Sequence, residues 1–86
     1  MNDELKIYPN PANDFIELKI EDEKLNISET QIYIYNNLGQ LIREEELEFK
    51  EGKATLNTKD LENGVYVVRL ISGSYGTVSK RIVIAR

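Results

Sequence analysis

The sequence contains no cysteine and no histidine. Without Cys there is neither a disulfide framework nor a thiolate nucleophile, and the redox compartment leaves no mark on the chain. Without His the usual general base is missing, and a zinc site would have to be assembled from carboxylates alone. The one hydroxyl beside a possible base, Ser79 next to Lys80, makes no dyad, because neighbours on a strand point to opposite faces. No enzymatic activity and no cofactor are expected. No apolar stretch approaches the roughly 18 residues of a spanning helix, so no membrane insertion is expected. The N-terminus, MNDELKIYPN, is acidic and polar, unlike a signal peptide. Basic residues are in deficit, 11 against 15 acids, for a net charge of −4 and a pI near 4.8. Nucleic acid is therefore excluded as a partner, since phosphate neutralisation needs a clustered excess of Lys and Arg.

What is present is one small folded domain. Eighty-six residues leave no length for a second core, and an apolar content of 41% is globular, not disordered. Met1 stands directly before a strand-like segment, which reads as an artificial start, so residues 1–86 are expected to be a piece of a longer secreted protein. The charge is laid out unevenly. Residues 1–62 hold all 15 acids against seven bases, whereas residues 63–86 hold Arg69, Lys80, Arg81 and Arg86 and no acid. One reading is that the basic end complements acidic neighbouring strands. The other is that a partner recognises a cationic end. EDEKLN and REEELE cluster oxygens without the spacing of a calcium loop, and Asn26 opens a formal glycosylation sequon.

The periodicity is that of strands. In DFIELKI, Ile16, Leu18 and Ile20 share one face while Glu17 and Lys19 share the other, the period-two pattern of a half-buried antiparallel strand. LKIY precedes it, and YPNPAND between the two requires a change of direction or of sheet, because proline cannot donate to a ladder. TQIYIYN alternates Ile32 and Ile34 with Tyr33 and Tyr35, and NNLG supplies a hairpin turn with Gly39 free to take positive φ. QLIREEELEF returns as its partner, although Leu38, Leu41, Ile42, Glu45 and Phe49 also fall near helical spacing. KEGK, ATLN, VYVVRLIS, GSYG and TVSKRIVIA complete the series of turns and strands. About seven short strands without a convincing helix predict an immunoglobulin-like antiparallel β-sandwich.

LENGVY has the form of a corner between sheets. Leu61 closes one end of the core, Asn63 and Gly64 take the turn, and the Tyr66 hydroxyl is expected to satisfy a backbone group near residue 60. In the last strand, Val78, Ile82 and Ile84 are in phase for the core. Lys80 shares their phase, so it must escape at a bulge or an open sheet edge. Tyr8, Tyr33, Tyr35 and Tyr75 suggest a sugar-stacking surface if they line up on one face, which supports an alternative role as a carbohydrate-binding or adhesion module.

Taken in order, YPNPANDFIELKI, IYIYNNLGQLI, LENGVYVVRLISG and SKRIVIAR resemble the type A C-terminal sorting domain of type IX secretion cargo proteins of Bacteroidota. The resemblance spans essentially the whole chain. It implies a transport signal at the end of a secreted enzyme or adhesin. Such a domain reaches the periplasm behind a cargo domain in cis, is recognised there by the outer-membrane translocon, and is removed by a surface sortase as the cargo becomes secreted or attached to the cell surface. The family's shared residues fall on Pro9, Asn10, Pro11, Gly39, Leu61, Gly64, Tyr66, Lys80, Arg81 and Arg86. Folding alone accounts for the glycines, the prolines, Leu61 and Tyr66, and leaves the basic last strand as the part without a structural reason.

Overall fold

The computed structural model describes residues 5–12, 14–20, 30–72 and 76–85. Seven strands follow in chain order: β1 (Leu5–Tyr8), β2 (Phe15–Ile20), β3 (Thr30–Asn36), β4 (Leu41–Leu47), β5 (Lys53–Asn57), β6 (Gly64–Ser72) and β7 (Gly76–Ile84). They form a three-stranded sheet in the order β1-β2-β5 and a four-stranded sheet in the order β4-β3-β6-β7. Every strand pair is antiparallel. The predicted β-sandwich is the fold.

Alternation decides what is buried. Ile16, Leu18 and Ile20 of β2 lie in the core with Ile32 and Ile34 of β3, Val68 and Leu70 of β6, and Ile82 and Ile84 of β7. Each such side chain contributes roughly 1.5–3 kcal/mol by leaving water. Register carries the pattern across the sheet, with Ile32 opposite Leu70 and Ile34 opposite Val68. A one-residue slip would expose every one of them.

Residues 41–47 are a strand, not a helix, because their backbone pairs with β3 along its length. Phe49 reaches the core, but Leu38, Leu41 and Ile42 are exposed, so the near-helical spacing did not mark a buried face. A register shift opposite Ile34 and Tyr35 leaves Ile42 without a partner. The core-facing phase of β4 carries Arg43 and Glu45. Arg43 is held by Glu45, and its Nη1 donates to Asp60 Oδ1 at 2.9 Å. Inward charges and a bulge are devices that keep an edge strand from pairing with a stranger.

Two turns set the hairpin geometry. Asn36 N–H donates to Gln40 O at 3.0 Å, enclosing the three-residue loop Asn37, Leu38 and Gly39. Gly39 has φ of 84°. That conformation belongs to the third residue of a type I turn with a bulge, where a side chain is strained. Asn36 Oδ1 accepts from the N–H groups of Leu38 and Gln40 at 2.9 and 3.0 Å and pins the loop. Lys50 and Lys53 exchange backbone hydrogen bonds of 3.0 Å around Glu51 and Gly52, both at positive φ, as a two-residue hairpin turn requires.

Candidate functional site

After β1 the chain leaves the three-stranded sheet and joins the free side of β7. Pro9, Asn10 and Pro11 are exposed, while Ala12 is fully buried. Ala12 N–H donates to Val83 O at 2.7 Å, and Ala85 N–H donates to Ala12 O at 2.8 Å, a parallel bridge opposite Ile84. Asn10 adds a side-chain cap. Its Oδ1 accepts from Val83 N–H at 3.0 Å, and its Nδ2 reaches Arg81 O at 3.5 Å. The expected change of sheet therefore occurs in the proline loop, with one consequence the sequence did not announce: the loop seals the C-terminal half of an edge strand. A polar residue between two prolines reads as turn chemistry, and nothing in its local spacing points some seventy residues away.

Because Val83 uses its backbone oxygen toward Ala12, it faces away from β6, and antiparallel alternation then turns Thr77, Ser79 and Arg81 outward as well. The Arg81 carbonyl meets Asn10. The Arg81 N–H and the outward groups of Thr77 and Ser79 meet no backbone or side-chain partner among the described residues. Thus β7 is sealed from Arg81 O onward and open before it.

The core phase of β7 runs as expected, with Ile82 and Ile84 buried and Val78 half-buried against the core. Lys80 shares this phase but is exposed. Pairing with β6 is continuous through Lys80, so it escapes at the open sheet edge and not at a bulge. It borders a cleft of about 370 Å³ between β1 and β7, lined by Leu5, Lys6, Ile7, Tyr8, Asn10 and Arg81 besides itself.

The reading in which the basic end complements acidic neighbours is overturned by strand order. The hydrogen-bonded neighbour of β7 is β6, whose charged residue is Arg69, and the strand facing its edge, β1, carries Lys6. The acids Glu44, Glu45 and Glu46 sit on β4, at the far edge of the same sheet. The linear asymmetry becomes a spatial one. No ion pair engages Arg69, Lys80 or Arg81 among the described residues. Arg86 lies outside the described residues, as do Tyr75, Asn26 and the EDEKLN segment. Glu44 and Glu46 share one face of β4 and Glu45 takes the other, so REEELE does not bring its carboxylates to a common centre.

Of the other residues of the sequence pattern, Gly64 and Tyr66 lie on β6, paired with Ile84 and Ile82 on the side of β7 away from its free edge, and Gly39 lines an outer groove with Ser79 and Arg81. Leu61 is buried, and the Tyr66 hydroxyl donates to Glu62 O at 2.7 Å, which is the expected corner. Gly64 has φ of 156°, and a Cβ there would sit 3.8 Å from the Tyr66 ring. Gly39 belongs to the β3–β4 loop. Tyr33 and Tyr35 share the outer face of β3, and Tyr35 lines a shallow groove of about 510 Å³ with Asn36, Val67, Arg69 and Arg81. Tyr8 stands on β1 of the other sheet, so the tyrosines do not form one surface.

The family model described as a secretion system C-terminal sorting domain matches residues 6–85. No curated protein matches the sequence significantly. Among solved structures, CopC from Methylosinus trichosporium OB3b is similar at a TM-score of 0.56 and 18% identity, over 94% of this chain and 91% of that one. At that identity the likeness is one of fold.

Proposed function

The chain belongs to the secretion system C-terminal sorting domains of type IX secretion, and from that premise we propose that it is read as a folded export signal by the outer-membrane translocon and afterwards removed by a surface sortase. Its cargo precedes it in cis and is delivered to the cell surface or beyond. The role is recognition, not catalysis. The observation that carries this reading, beyond membership, is the β7 edge: among the described residues Lys80 and Arg81 stand unpaired, on a strand whose neighbours β6 and β1 carry no acid. Fold maintenance gives no reason for cations there, since exposed charges contribute little to stability. Pro9, Asn10 and Pro11 act through the same edge, by fixing where it is closed.

The test is export of an unrelated periplasmic protein fused ahead of this domain in a type IX-competent cell. Changing Lys80, Arg81 and Arg86 to Gln should leave the melting temperature within a few degrees of the parent and strand the fusion in the periplasm. Parent-level export of the folded triple variant would reduce the basic end to a solvated edge.

A second reading is favoured by the groove beside Tyr35, where an aromatic ring, Asn36 and two arginines lie within reach of one ligand. A carbohydrate-binding module predicts saturable glycan binding that is lost in Tyr33→Ala/Tyr35→Ala. Export of the fusion by a variant lacking both rings would separate the two readings.

A further inference from the structure

We infer that the open half of the β7 edge, Thr77 to Arg81, is a docking slot for an extended peptide strand bearing carboxylates, in which Lys80 turns neutral strands away. The inference rests on the sorting reading above and specifies the contact by which the domain is read.

The first support is the backbone. An edge strand offers unpaired N–H and C=O groups that template another strand, and folded proteins usually blunt such edges. Here β1 is blunted by its four-residue length, β5 by its five residues, and β4 by inward charges and a bulge. By contrast β7 runs nine residues, is paired without interruption to β6, and among the described residues is sealed by Asn10 and Ala12 at its C-terminal end only. The open groups of Thr77, Ser79 and Arg81 are spaced as a strand partner needs them.

The second support is the space beside them. A strand added to β7 would place alternate side chains in the cleft toward β1, where Ile7 is half-buried apolar surface. The other side chains would lie on the outer face beside Arg81.

The third support fixes the chemistry of the partner. Lys80 is in the core-facing phase, so an incoming strand would cover its ammonium and strip it of water. Facing an apolar or neutral side chain, that burial is costly. Facing a carboxylate, it becomes a paired charge, and Arg81 on the opposite face favours a second one. No acid on β1, β6 or β7 competes for either cation. One lysine thus rejects most strands and selects acidic ones, which is how an interface obtains specificity from repulsion.

The experiment uses the full chain and three capped nine-residue peptides, alternating Val with Glu, Gln or Lys. Amide spectra should show saturable binding of the Glu peptide, with new exchange protection at the Thr77, Ser79 and Arg81 amides, and no saturable binding of the other two. Ser79 turns its N–H away from β6, so Ser79→Pro removes an outward donor while sparing the β6 ladder. It should weaken the Glu peptide about tenfold or more. Lys80→Glu should reverse the preference toward the Lys peptide, an outcome that loss of folding cannot mimic. The inference falls if the Glu peptide does not bind, if Ser79→Pro binds it like the parent, or if the shifts map to the Tyr33 and Tyr35 face. It falls also if the three amides are already protected in a concentration-dependent dimer, since a second copy then holds the edge. In the export assay, parent-level export of a folded Ser79→Pro fusion overturns strand addition and leaves the sorting reading standing. Failure of the parent fusion to be exported overturns the sorting reading itself.

Discussion

Replacing Tyr66 with Phe isolates one oxygen atom at the corner between the sheets. The ring is only 8% exposed, and Phe retains its packing. What disappears is the hydroxyl that donates to Glu62 O at 2.7 Å. A neutral hydrogen bond contributes about 0.5–1.5 kcal/mol net, and a carbonyl left dry raises the cost toward 3 kcal/mol. Glu62 is itself exposed, so water reaches part of the vacated site and the loss should be about 1–2 kcal/mol. A domain of this size gains unfolding entropy of about 0.2 kcal/mol per degree, so the melting temperature should fall by roughly 5–10 °C. Thermal unfolding followed by circular dichroism measures this directly, with Tyr66→Ala as a control that also removes the ring, at about 3–5 kcal/mol. An unchanged melting temperature in Tyr66→Phe would refute the corner bond as a stabilising feature.

Asn10→Ala should lower stability by about 1 kcal/mol and speed exchange of the Val83 amide, because it removes the cap on the sealed half of β7. Normal Val83 protection in the variant would remove Asn10 from that role. Gly39→Ala should cost about 1 kcal/mol or more through backbone strain alone, since φ is 84° and nothing lies within 4 Å of the added Cβ. A neutral result in denaturant titration would mean that the loop relaxes to another turn.

Much of this architecture is written in local patterns. The alternation of Ile16, Leu18 and Ile20, and of Ile32 and Ile34, fixes strands and their buried faces because a side-chain period of two admits one orientation. The Leu61 to Tyr66 corner is legible for the same reason: its bond closes over four residues. The sealed edge is not. Asn10 and Val83 are 73 residues apart, and only the tertiary arrangement makes them partners. The charge asymmetry was visible, but its meaning depended on strand order, which set β7 beside β6 and β1 instead of beside the acids of β4. Arg43 illustrates the converse, a charged residue in a core phase that becomes acceptable because Glu45 and Asp60 meet it at an edge.

As a sorting signal, this folded domain should be sufficient to export a protein that carries no such signal of its own. The measurement is the distribution between periplasm and medium or cell surface of an unrelated periplasmic protein fused ahead of it, expressed in a type IX-competent strain and in the same strain lacking the translocon. Export in the first strain and periplasmic retention in the second is the predicted result. Retention of the folded fusion in the competent strain, while that strain still exports its own cargo, would contradict it.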